Sequence, residues 1–425
     1  MKKAIIIFPL NFLKNSYMGC SAYVLSISQY LKSKNFLLDL FIIDSSKDSI
    51  EEYYYYNKQH NNLFNKIFMY KSSQTYTPEV TNLNLFKINI FSKSKIIDIP
   101  RQIEYYQYKF FGIKLTIKKN IEHKYNYTSS AWVKNDYLID EFNKIINENN
   151  YNFINIPYVG ASFLIENSNI PTNTKTIYTM HDLNFFQKLY RDNISINDVG
   201  YFFTEEINSL NIYNKIFCVS SDEKNFISRF FQNKEIEYIP YSIPEIILPN
   251  VKKEIDLLFI GAENPYNLEA ILWFLNEVFP NLKDDINLTV CGDVINMYDF
   301  SKIIENKNVN LINSVDNLDD LYSKTKIAIV PMLRGTGIKI KTIDAMARGI
   351  PVVASILGVD GIEDKRESGC LVADNSNDFE FYVNRLINDK KFYIETVDKM
   401  KKYFNKYISL ESNSVKLNKI FEIEG

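Results

Sequence analysis

Residues 327–356 read IAIVPMLRGTGIKIKTIDAMARGIPVVASI, a strand, a glycine loop, a helix and a second strand. The apolar run 327–331 suits a buried parallel strand. Gly335-Thr336-Gly337 then lets the backbone turn tightly and present bare amides. Those amides meet the positive end of a helix, and Lys339 and Lys341 in its first turn add full charges, so the segment can hold an anion. A diphosphate fits this pattern. Lys341 and Asp344 lie three residues apart and share a helical face, where a carboxylate beside a cation is an acceptor for sugar hydroxyls. Gly349 closes the helix, and Pro351-Val352-Val353-Ala354 begins the next strand. The plainer alternative is an ordinary βαβ unit with surface lysines, which a lone glycine loop leaves open.

Other segments narrow the choice. The pattern G-x-G-x-K-x-K-x-x-D-A-M-A-x-G-x-P-V-V resembles the donor-binding signature of GT-B glycosyltransferases, in the group similar to the family four retaining enzymes. Phe259-Ile260-Gly261, Asn267 and the run Ala270-Ile271-Leu272-Trp273-Phe274-Leu275 resemble the first strand, loop and helix of that family's C-terminal domain. Residues 309–321 resemble the strand and loop near the nucleotide base, and 358–361 the turn after the last motif strand. The resemblance is specific over about residues 255–389 and patchy before them.

The resemblance implies an α/β chain with two Rossmann-like doubly wound domains facing a central cleft. It places an acceptor-side domain at 1–245, a nucleotide-sugar-binding domain at 254–400, and a helix crossing back at 401–425. The activity it implies is transfer of a hexose-like unit from a nucleotide diphosphate sugar to a hydroxyl of a glycan or lipid-linked acceptor. Retention of configuration, a role in bacterial surface polysaccharide assembly, and no cofactor or metal belong to the same expectation. Gly261, Gly335, Thr336, Gly337, Lys339, Lys341 and Asp344 would bind the donor. His181, Lys341 and Lys339 would act in catalysis, and Gly19 with Cys20 would form the acceptor or phosphate loop. In one respect the chain departs from the pattern. Many members carry two glutamates as E-x7-E, whereas Thr336 and Asp344 stand here; a related subgroup instead uses a glycine-rich loop with two basic residues. A sugar-nucleotide epimerase and a silent nucleotide-sugar-binding subunit are the rival readings.

Length and composition agree. A chain of 425 residues exceeds what one hydrophobic core usually serves, so two domains are expected. Its 46% hydrophobic content is ample for packed cores, and a net charge of −2 gives no global drive toward nucleic acid or acidic membranes. Cys20, Cys218, Cys291 and Cys370 show no metal-type spacing and read as reduced thiols, which points to the cytoplasm. The start MKKAIIIFPL reads as a first strand, since its apolar run stops at Pro9 without a cleavage pattern.

Strands are predicted at 3–9, 38–44, 152–157, 176–180 and 216–219, a helix at 21–33, and a proline-bearing linker at 240–253. Further strands follow at 257–260, 288–291, 309–312, 327–330 and 352–354, and the tail 379–421 is read as helical. Gly19 lies in the first loop of a doubly wound sheet, where ligands bind; it matches the family's phosphate or acceptor glycine, with Cys20 in place of a second glycine. His181-Asp182 ends a predicted strand, and only His60 and His123 are other histidines. With no His/Asp/Glu cluster at ligand spacing, no protein-bound metal centre is expected. Residues 87–124 combine Lys87, Lys93, Lys95, Arg101, Lys109, Lys114, Lys118, Lys119 and Lys124 with Tyr105, Tyr106, Tyr108, Phe110 and Phe111. That mixture suits a peripheral contact with the inner face of a membrane or an anionic lipid-linked acceptor. A solvated insertion with inward aromatics is the plainer account.

Overall fold

A computed structural model describes residues 1–9, 13, 19–44, 50–71, 134, 136–191, 195–301, 308–315 and 317–423. The basic and aromatic segment 87–124 lies outside the described residues. The chain forms two compact units. One comprises Met1–Ser16, Ser28–Tyr178 and Ser209–Tyr213; the other comprises Tyr17–Ile27, Thr179–Asn208 and Asn214–Gly425.

The first sheet has seven strands in the order β3-β2-β1-β4-β5-β6-β7. In chain order these are β1 Lys3–Pro9, β2 Leu37–Asp44, β3 Lys66–Lys71, β4 Phe153–Ile156, β5 Lys175–Met180, β6 Lys215–Cys218 and β7 Glu235–Tyr238. Pairing is parallel between β1 and β2, β1 and β4, β2 and β3, β4 and β5, and β6 and β7. Ala4, Ile5, Ile6, Ile7 and Phe8 of β1 are all buried, as an unbroken apolar strand with helices on both faces must be. Helix α1, Gly19–Ser33, follows β1, so Gly19 is the first helical residue and not part of the loop before it.

The second sheet has six strands in the order β10-β9-β8-β11-β12-β13, and every pair is parallel. They are β8 Ile255–Ile260, β9 Leu288–Cys291, β10 Val309–Ile312, β11 Thr325–Val330, β12 Val352–Ala354 and β13 Leu371–Val372. After β8 the chain steps outward to β9, whereas after β11 it steps the other way to β12. Strand order therefore reverses between β8 and β11, the point where open α/β sheets leave a crevice at their carboxyl ends. The glycine loop follows β11 and Gly261 follows β8.

The helix after the glycine loop runs Ile340–Ala347 and buries Thr342, Ile343, Ala345, Met346 and Ala347. It stops at Gly349, whose φ is +65°. Gly349 N donates to Met346 O at 3.0 Å and Ile350 N to Ala345 O at 3.0 Å, which satisfies two terminal carbonyls in a Schellman motif. Residues 239–254 contain no helix or strand. The tail forms helices Ser376–Asn388, Lys390–Tyr403 and Leu410–Ile420. The last of them lies against β6 and β7: Lys215 Nζ donates to Ile420 O at 2.9 Å, and the Phe217 and Phe421 rings meet at 5.7 Å.

Candidate active site

Gly335 and Gly337 have φ of +108° and +72°, a region that side chains disfavour. The two differ in their surroundings. A Cβ on Gly335 would find its nearest neighbour at 3.8 Å, whereas one on Gly337 would lie 2.5 Å from Asp182 Oδ1 and 2.8 Å from His181 O. The loop is thus pressed onto the segment that follows β5. Thr336 Oγ1 donates to Asp182 Oδ1 at 2.9 Å, fastening the same two segments. Glu206, fully buried, accepts from Asn184 N at 2.9 Å and Phe185 N at 3.0 Å. This carboxylate caps the helix Asn184–Arg191 and so fixes the turn that carries His181 and Asp182.

Lys339 occupies the cap of the helix rather than its first turn. Its Nζ donates to Gly337 O at 2.7 Å and to Thr336 O at 3.1 Å. Burial pushes its pKa down, while Asp360, Asp182 and Glu223 oppose that shift. Glu223 is itself buried and is pushed up to about 8, first by burial and then by Asp182 and Asp360. Asp360 and Asp222 both pair with Lys365, at 2.6 and 2.8 Å, and Asp222 accepts from Gly361 N at 3.2 Å. The loop's inner flank is therefore a network of alternating charges.

The other flank is different. Lys341 is half-buried; its Nζ donates to Asn267 Oδ1 at 2.8 Å and stands 4.4 Å from the centre of the Phe259 ring. Burial, helped by Lys339, pushes its pKa down to about 7. Gly261 permits this approach, since a Cβ there would sit 2.9 Å from Phe259 and 3.2 Å from Asn267. Asp344 is pushed up to about 6 by burial, against the pull of Arg348. Arg348 reaches Asp344 Oδ1 at 3.3 Å and its carbonyl at 3.0 Å. It also meets Asp319 at 2.7 Å and lies over the Tyr322 ring at 5.0 Å. Arg348 was not singled out in the sequence, although its position four residues after Asp344 could have flagged it.

His181 is 8% exposed and stands edge-on to Tyr23 at 5.2 Å. Burial pushes its imidazole down to about 3, so it is neutral at physiological pH. Gly19 lies against the start of the glycine-loop helix, since a Cβ on it would meet Ile340 at 3.5 Å. Cys20 is a half-buried thiol, and none of the four cysteines forms a disulfide. The structure thus gathers Gly19, His181, Gly261, Gly335, Thr336, Gly337, Lys339, Lys341 and Asp344 around one glycine loop. Among the described residues no group of three or more His, Cys, Asp or Glu could hold a metal ion.

The model of the family "Glycosyl transferases group 1" matches residues 254–389. A Klebsiella pneumoniae protein described as an uncharacterized 44.6 kDa protein in the cps region is 29% identical over 271 residues, covering 59% of this chain and 67% of that protein. Among solved structures, TarM of S. aureus superimposes with a TM-score of 0.69 at 15% identity, covering 99% of each chain. Anabaena HepE in complex with UDP and glucose gives 0.64 at 10% identity, over 99% of this chain and 100% of its own. At these identities the likeness establishes the fold, which is GT-B.

Proposed function

We propose, from the premise that residues 254–389 make this chain a group 1 glycosyltransferase, that it moves a sugar from a nucleoside diphosphate sugar to a hydroxyl acceptor with retention of configuration. The observation that carries this reading is the glycine loop at the strand-order reversal. Among the described residues, no backbone amide of residues 335–341 donates to an acceptor. These amides, the helix dipole and Lys341 converge where a leaving diphosphate would gather charge. Lys339 stands at the cap of the same helix. Asp344, braced by Arg348, would accept from ribose hydroxyls, and the neutral imidazole of His181 would orient sugar or acceptor. The helix dipole and cations would do the work that a metal does elsewhere, so no metal is required. Binding energy and fixed dipoles, rather than a covalent cofactor, supply the rate.

UDP and glucose in the HepE structure support a nucleotide-sugar donor. The relative from a cps region supports a role in surface polysaccharide assembly, and the acceptor we propose is a glycan or lipid-linked hydroxyl. Among the described residues no helix is long and apolar enough to cross a membrane, and a cytoplasmic site with peripheral membrane contact is the arrangement we propose. The test is to supply a panel of nucleotide sugars with candidate acceptors in the presence of a chelator. Nucleoside diphosphate should appear in step with new glycoside, and the anomeric configuration of the product should match the donor. Turnover abolished by the chelator and restored by Mg²⁺ or Mn²⁺ would remove the metal-free mechanism. Sugar interconversion without glycoside would replace transfer by epimerisation.

A further inference from the structure

Lys339 carries a charge near the phosphate site yet spends it on the loop's own carbonyls. Its Nζ takes Gly337 O at 2.7 Å and Thr336 O at 3.1 Å. In a trans peptide the carbonyl of one residue and the N–H of the next point in opposite directions. Two carbonyls drawn to one ammonium therefore turn the amides of Gly337 and Ile338 away from it. Neither amide has an acceptor among the described residues. Asp182 holds the loop from its side, through Thr336 Oγ1 at 2.9 Å and contact with Gly337. The positive φ of Gly337 bends the two successive peptides into a concave pair of donors, an arrangement that binds anions.

We propose that Lys339 is a positioning residue that acts through the backbone: it orients the Gly337 and Ile338 amides toward the phosphates of the donor and does not itself touch them. The proposal rests on the glycosyltransferase reading above and assigns a role within it. It predicts that the two lysines of the segment fail in different ways when removed. Lys341 would contribute charge to the bound anion. Lys339 would contribute the direction of two hydrogen bonds.

Amide hydrogen exchange resolved at Gly337 and Ile338, with and without UDP or inorganic pyrophosphate as probe, tests this on the whole chain. In the wild type both amides should slow by about tenfold or more at saturation, as hydrogen-bonded amides do. Lys339→Met should weaken UDP binding about tenfold or more, and at saturating UDP its two amides should remain unprotected. Lys341→Met should also weaken binding but keep both amides protected once saturated. The proposal is overturned if the wild type binds UDP without slowing either amide, a measurement that needs no variant to fold. Full protection in saturated Lys339→Met overturns it as well. A wild type that binds neither probe and releases no nucleotide from any donor rejects the glycosyltransferase reading, and this inference with it; turnover without protection rejects the inference alone.

Discussion

The two flanks of the glycine loop carry the same residue type in opposite electrostatic settings. On one side Lys339 sits among Asp182, Glu223 and Asp360 and bonds to loop carbonyls. On the other, Lys341 meets an amide oxygen and an aromatic face, with Lys339 as its charged neighbour. A cation surrounded by carboxylates is already compensated and serves the fold. One held by neutral groups, and destabilised by burial, has the most to gain from an arriving anion. Two lysines with one residue between them thus stand in different surroundings, one among carboxyl groups and loop carbonyls and one held by an amide oxygen and an aromatic face.

The strongest way to break this contrast is Lys341→Ala. It should lower turnover by roughly 10²-fold or more, the range for losing one preorganised electrostatic group, as measured by steady-state nucleotide release. Near-wild-type turnover would show that Lys341 contributes no charge to the reaction. Asp344→Ala should weaken nucleotide binding by about 1.5–3 kcal/mol, the range for a hydrogen bond to a charged group. Calorimetry with UDP checks this, and undiminished affinity would remove Asp344 from the ribose contact.

The inner flank makes its own prediction. Gly337→Ala should destabilise the protein by about 1–3 kcal/mol, since it combines a positive φ with a Cβ only 2.5 Å from Asp182 Oδ1. Gly335→Ala suffers only the backbone strain and should cost less. Equal shifts in denaturant midpoint for the two would mean that the contact with Asp182 contributes nothing.

The smallest effect is on protons. In the free site Lys341 titrates at about 7, below the ordinary lysine value, so it is largely neutral above that pH. A bound diphosphate favours the charged form and raises that value. The contribution of Lys341 to UDP affinity should therefore be full well below pH 7 and fall as pH rises above it, with a fraction of a proton taken up on binding at about pH 8. Calorimetry in buffers of different ionisation enthalpy reads the uptake directly. Lys341→Met should abolish it, and uptake that persists in that variant would assign the proton to another group.

Sequence pattern and tertiary structure contribute separable parts of this picture. The central strands 288–291 and 352–354 were legible because each is a short run buried on both faces, and they match residue for residue; the edge strand 309–312 matches as well, although none of its residues is buried. The strands missed, Lys66–Lys71, Glu235–Tyr238 and Leu371–Val372, all lie at sheet edges. An edge strand has one neighbour and is often short or charged, so its apolar signature is weak.

In the site, the glycine loop, both lysines and Asp344 could be read from local spacing, because a helix N-terminus is a local object. By itself the sequence determined that a glycine loop and a helix follow a buried strand of a doubly wound sheet. How the surroundings of the two lysines differ was decided only by the tertiary structure. The partners that make the difference are Asp182, Glu223 and Asp360 for one lysine and Phe259 and Asn267 for the other. They come from other strands, helices and loops of the chain, and electrostatics depends on distance in space, not on spacing along the backbone.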